Sequence, residues 1–101
     1  MNQTLLIKDI EKSCADVCRI LKSLSHPRLL LILGHLIHGS KTVTELVKLC
    51  NISQSQMSQF LIRMKFEGLL DSEKLGKHQS YSVADKRLIK LIKVIQNEYC
   101  K

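Results

Sequence analysis

Two helix-start signals stand eleven positions apart in this chain, at Thr42 and at Ser53. "TVTE", Thr42 to Glu45, has the spacing of a capping box: a Thr hydroxyl accepts from the amide three residues on, and the Glu there reaches back to the cap's own N–H. Ser53 and Gln56 repeat that spacing. The first helix must therefore be short, ending at Cys50, with Asn51 suited to the left-handed conformation that terminates it. The second runs on to Gly68, a C-terminal stop. Two short helices joined by about three or four residues make a helix-turn-helix.

Around this unit the chain has few breakers, one proline and four glycines, and its apolar residues recur mostly at helical spacing. Leu6, Ile10, Cys14, Val17, Cys18, Leu21 and Leu24 fall on one stripe of a first helix, which ends near Ser25 because the residue before Pro27 is disfavoured in helical conformation. Pro27 opens a second helix to about His38, closed by Gly39 and apolar nearly all round, so that it belongs at the centre of the core. After Gly68, "LLDSEKLGKHQSYSV" alternates loosely about a Gly76-Lys77 turn and predicts a hairpin. Asp85 caps a last helix striped by Leu88, Leu91, Ile92, Ile95 and Tyr99. The predicted order is helix, helix, helix, helix, hairpin, helix, mainly α with a small β-hairpin, in a single domain over residues 1–101.

Within the second helix of the turn unit, Met57, Phe60, Leu61 and Met64 recur at core spacing, leaving Gln54, Ser55, Ser58, Gln59 and Arg63 outward. Such amides and hydroxyls read base edges in a major groove, where Gln pairs bidentately with adenine and Ser bonds several bases. The first two turns carry no acid on that face, although a merely solvated helix start favours Glu. The chain as a whole carries sixteen Lys and Arg against nine Asp and Glu, a net +7. That balance favours a polyanionic partner. The DNA-contacting set predicted here is Thr42, Ser53, Gln54, Ser55, Gln56, Ser58, Gln59 and Arg63, with Lys74, Lys77, His78 and Gln79 reaching an adjacent backbone or minor groove from the hairpin.

The stretches "LSHPRLLLILGHL" and "TVTELVKLCNISQSQMSQFLIRMKFEGLL" and the hairpin ending "YSV" resemble the winged-helix ArsR/SmtB-type bacterial repressors, from about Cys14 to Cys100. The family pattern usually has His where Phe60 stands. The resemblance implies a winged helix-turn-helix that dimerises through its first and last helices and holds a palindromic double-stranded operator until an inducer weakens the grip. Apolar stripes on those two helices, more than a 101-residue monomer covers easily, point the same way.

The inducer is where the family diverges. Its helix-three metal site needs Cys-x-Cys, and "TVTELVKLC" has one Cys; its helix-five site needs His, and "DKRLIKLIKVIQNEYCK" has none. The Tyr99-Cys100 ending resembles the family's thiol-responsive branch, in which a cysteine near the end of the last helix links to one in helix two. That second position falls on Gly34 here. Cys14 and Cys18 are the substitute candidates, giving Cys14, Cys18 and Cys100 as sensing thiols, with Cys50 a core thiol. A direct Cys14 to Cys18 disulfide is disfavoured, since Cβ atoms four apart on a helix lie about 5–6 Å apart and a disulfide wants about 3.5–4.5 Å. A polysulfide or a metal spans the gap more easily, so a metal-responsive repressor using the same three thiols remains an alternative. His35 and His38, at i and i+3, have chelating spacing, but no acid or thiol stands near them in sequence.

The composition, 45% hydrophobic and 25% charged, is that of a folded chain. No apolar run approaches the roughly 20 residues of a membrane span, the N-terminal stretch does not read as a secretory signal, and the basic Lys86, Arg87, Lys90 and Lys93 beside the last apolar stripe fit a solvated dimer better than a bilayer anchor. A cytoplasmic location with thiols reduced by default follows. With no phosphate loop, catalytic triad pattern or converging carboxylates, the sequence argues against an enzyme and calls for no cofactor. A winged helix serving only as a protein-interaction module is the alternative from a different class.

Overall fold

The computed structural model describes residues 3–100, and side chains from residue 7 onward. Five helices and three strands follow in order: α1 (Gln3–Leu24), α2 (Pro27–Leu36), β1 (Lys41–Thr42), α3 (Val43–Cys50), α4 (Gln54–Phe66), β2 (Leu70–Leu75), β3 (His78–Val83) and α5 (Lys86–Tyr99). This is the winged helix-turn-helix implied by the resemblance, with one addition. β1, two residues long, pairs antiparallel with β3 (Lys41 opposite Tyr81, Thr42 opposite Ser80), so the hairpin is part of a three-stranded sheet ordered β1-β3-β2. Two residues are too few to show a strand period.

The punctuation works as the residue types dictate. Thr42 accepts from the Glu45 amide at 3.2 Å while the Glu45 carboxylate accepts from the Thr42 amide at 3.0 Å, completing the capping box. Those bonds hold the Glu45 carboxyl below its usual range. Asn51 takes the left-handed conformation, φ 53°. At the end of α4 the Leu69 amide donates to Met64 and the Gly68 amide to Lys65, at 2.9 and 3.0 Å, with Gly68 at φ 80°. This is a Schellman closure, and Leu69 and Met64, the pair that the motif brings together, are both buried. In the wing, Gly76 at φ 62° occupies the first position of the two-residue turn, where a glycine is needed.

Leu29, Ile32, Leu33 and Leu36 of α2, Leu46 of α3 and Met57, Leu61 and Met64 of α4 are the most deeply buried side chains, and Leu88 and Ile92 of α5 close the core from the other side. α2 is central as expected, yet it ends at Leu36 rather than His38, and Leu31 faces outward. Cys50 is buried, which raises its thiol pKa.

As expected of faces larger than the protomer covers, much of the two terminal stripes is exposed. Of the α1 stripe, Leu24 is buried, whereas Ile10, Cys14, Val17, Cys18 and Leu21 are exposed; Leu6 lies outside the residues whose side chains are described. On α5, Leu91 and Tyr99 are exposed together with Val94. The reason is shape: α1 is 22 residues long and extends past the core, giving a radius of gyration of 15.3 Å where a compact chain of about 100 residues has about 13 Å. A shallow groove lined by Val17, Ile20 and Leu21 of α1 and by Leu88 and Leu91 of α5 separates the two helices. Among the described residues no helix is long and apolar enough to cross a membrane.

Candidate nucleic-acid interface

α4 begins because Ser53, in extended conformation, accepts from the Gln56 amide at 3.3 Å. The cap is one-sided. The Gln56 side chain does not return to Ser53; its oxygen accepts instead from the Arg28 guanidinium of α2 at 3.0 Å. Gln56, expected among the base readers, is thereby held against α2 by a cation that no local pattern singled out. Arg63 departs from expectation in the same way, with Nε donating to the Glu67 carboxylate at 3.0 Å. Glu67 also accepts from the hydroxyl of buried Ser23 at the end of α1, at 3.3 Å. The Thr42 hydroxyl oxygen is occupied by its capping bond, and that of Ser53 likewise.

Gln54, Ser55 and Gln59 are exposed, and Ser58 is half-buried beside them. These four make the polar outer face of the first two turns, and α4 contains no acid from Gln54 to Phe66. At about 100° per residue, Ser55, Gln59, Ile62 and Phe66 run in line along the outermost ridge. Ile62 is 62% and Phe66 92% exposed. Sequence periodicity marks that ridge as solvent-facing, so two large apolar residues on it are a signal legible in the sequence, and they extend the predicted contact set.

Phe60, in the family's usual His position, is half-buried with its ring edge-to-face with His26, centroids 5.4 Å apart. His26 caps α2 by accepting from the Arg28 amide at 3.2 Å. α4 is thus fastened to the start of α2 by both Phe60 and Gln56.

Lys74, Lys77 and His78 are exposed at the wing tip, and Gln79 is half-buried opposite Lys74. Asp71 and Glu73 are exposed on the same strand, so the basic character belongs to the tip. Lys65 bonds the Ser72 hydroxyl and fixes the base of the wing to α4.

The candidate thiols are dispersed. Cys14 and Cys18 lie exposed on α1, Cys100 is exposed just after α5, and all four cysteines are free. Lys101, expected beside Cys100, lies outside the described residues. Among the described residues no three His, Cys, Asp or Glu side chains are grouped to hold a metal ion.

No protein-family model matches the chain. An HTH-type transcriptional regulator of Escherichia coli K12, YgaV, is 34% identical over 95 residues, covering 93% of this chain and 96% of that protein. The crystal structure of the transcriptional repressor BigR from Xylella fastidiosa superposes with a TM-score of 0.87 at 28% identity, over 93% of this chain and 96% of that one. The homodimeric winged helix-turn-helix DNA-binding domain of Mb0332 from Mycobacterium bovis, described as a possible ArsR-family regulator, gives 0.76 at 27% identity, over 88% and 83%. With its architecture and its capped, acid-free α4, the chain belongs to the ArsR-type family of winged helix-turn-helix transcriptional regulators.

Proposed function

We propose that residues 1–101 form one DNA-binding domain, that two copies join through α1 and α5, and that the cytoplasmic homodimer represses transcription from a palindromic operator. The observation that carries this reading is the outer face of α4: Gln54, Ser55, Ser58 and Gln59 stand together on two helical turns whose inner side is locked into the core. Amides and hydroxyls held on a rigid helix start are what direct readout requires. Ile62, next along the ridge, offers an apolar contact for a thymine methyl group. Lys74, Lys77 and His78 supply phosphate contacts from the wing tip. The exposed stripe of α1, together with Leu91 and Val94 of α5, supports the dimer, and a two-fold protein matches a two-fold operator.

We infer further that operator affinity is set by cysteine chemistry at Cys14, Cys18 and Cys100. These three are solvent-accessible, whereas Cys50 is not. In the simplest step two thiols are oxidised to a protein disulfide, giving their two protons and two electrons to a low-molecular-weight disulfide that leaves as two thiols. Because Cys14 and Cys18 stand on the helix that carries the dimer stripe, such a bond would constrain the interface.

Fluorescence anisotropy on the duplex upstream of the protein's own coding sequence, reduced and after persulfide treatment, with unrelated duplex as competitor, tests both parts. Specific binding that collapses on treatment is expected. Specific binding indifferent to treatment refutes thiol control, and equal weak binding to every duplex would favour a protein-interaction module.

A further inference from the structure

A wide-mouthed, groove-like cavity of about 610 Å³ lies between α2 and α5, on the flank where α5 ends. Leu30 of α2, Ile37 just after it and Ile92 and Ile95 of α5 supply apolar wall, Gly34 lies in the middle of the α2 side, and Cys100 is at the edge. The volume falls within the range of about 300–1,000 Å³ common to small-molecule sites, as does the composition of apolar walls with few polar groups.

Gly34 is the residue the fold does not explain. A glycine inside a helix is unfavourable relative to alanine, and is tolerated where the backbone needs a positive φ or where another group comes close. Neither applies here. Its φ is not among the positive ones, and a Cβ built on it would meet nothing within 4 Å. Nothing in the protomer comes close enough to require the missing side chain, and the space over Gly34 opens into the cavity.

The position on α5 says which kind of occupant. Gln96 and Cys100, which line the cavity, lie one helical turn apart on one flank. Leu91 and Val94, exposed and apolar, lie on the other, with about 140° between Leu91 and Gln96 around the axis, while exposed Tyr99 stands between the two flanks. A second copy seated on Leu91, Val94 and the α1 stripe therefore comes mainly from the flank away from Gln96 and Cys100.

We infer that the α2–α5 cavity is a binding site for a small, uncharged, mainly apolar molecule seated over Gly34, with Cys100 beside it. Gln96 and His35 at the lining offer one or two hydrogen bonds to a single polar group on that molecule. The site also has a route to the reading helix. Pro27 is part of the lining, and the next residue, Arg28, holds Gln56 of α4. An occupant that displaces the start of α2 alters the seat of α4; this consequence, unlike the binding itself, rests on the DNA-binding reading above.

The full chain is titrated with N-phenyl-1-naphthylamine, an uncharged fluorophore that brightens in apolar surroundings. Saturable brightening is expected with the native sequence, its loss in Gly34→Leu, which fills the space, and slower iodoacetamide alkylation of Cys100 but not of Cys14 when the probe is bound. Gln96→Trp fills the cavity from an exposed position on α5 and stands in if Gly34→Leu fails to fold. Absence of saturable binding, or binding unchanged in the folded cavity-filling variants, overturns the site. Binding confined to an obligate monomer such as Val17→Asp also overturns it, since the groove would then belong to a second copy. None of these readouts uses DNA, so an absent operator complex leaves the site standing, and an absent site leaves operator binding untouched.

Discussion

Arg28 of α2 and Gln56 of α4 are joined by a 3.0 Å hydrogen bond between guanidinium and side-chain amide oxygen, so the start of α4 is tied at the surface to the start of α2. That bond separates Gln56 from Gln54 and Gln59, three glutamines that look equivalent in sequence. Gln54→Ala and Gln59→Ala are expected to lose sequence discrimination, at about 1–3 kcal/mol for each bidentate base contact removed. Gln56→Ala should instead weaken all duplexes alike, through the orientation of α4. Anisotropy titrations on operator and single-base variants distinguish the two patterns.

Leu61 is completely buried on the inner face of α4. Replacing it with Ala is expected to cost about 2–5 kcal/mol. Set against the roughly 5–15 kcal/mol that holds a domain of this kind together, the change removes a large share. Urea denaturation followed by circular dichroism measures it, and a midpoint within error of the native sequence would contradict the packing described.

Val17 and Leu21 are about half exposed on α1 of the isolated protomer, at 46% and 50%. If a partner covers them, an aspartate at either position places a charge in an apolar interface. Val17→Asp and Leu21→Asp should elute as monomers in light-scattering chromatography while keeping their helical content. A native chain that is itself monomeric at micromolar concentration would exclude the dimer.

Burial leaves Cys50 both shielded and raised in pKa, so its reactive thiolate form is scarce. Timed alkylation with mass-spectrometric mapping should label Cys14, Cys18 and Cys100 well before Cys50. Early modification of Cys50 would mean that α3 opens readily.

Two carboxylates, exposed Glu45 and half-buried Asp85, are held below their ordinary pKa, Glu45 by its bonds to Thr42 and Asp85 by those to Arg87. A carboxyl more acidic in the folded chain than in the unfolded one adds stability above the unfolded pKa and loses it as pH falls through the folded one. Melting temperature should therefore drop on acidification through and below the ordinary carboxylate range. Glu45→Gln and Asp85→Asn should flatten part of that dependence; an identical profile in the double variant would count against both caps.

Local chemistry made much of this legible. Thr42, Glu45, Asn51, Ser53, Gly68 and Asp85 each act within four residues of themselves, and each ended or began an element as its type required. The polar ridge of α4 was legible for the same reason, since Met57, Leu61 and Met64 define the opposite side. What escaped depends on residues far apart in the chain. The partner of Gln56 lies 28 positions away and that of Ser23 lies 44 away, so no window of one helix reveals them. The α1 stripe was visible as a stripe, but whether anything in the same protomer covers it depends on how far the helix runs beyond the core.

β1 is the shortest element of the fold, yet it decides how the hairpin can move. Thr42 is at once the partner of Ser80 in the sheet and the cap of α3, so the wing and the helix-turn-helix share a residue. Lys65 joins α4 to β2 at Ser72 on the other side. Joined at these two points to α3 and α4, the wing shares their frame, and the separation between its tip and the polar ridge of α4 acts as the opening of a caliper. A duplex that touches both jaws is gauged for length as well as read for sequence, and one base pair inserted between the two contacts would be rejected even with every contacted base preserved.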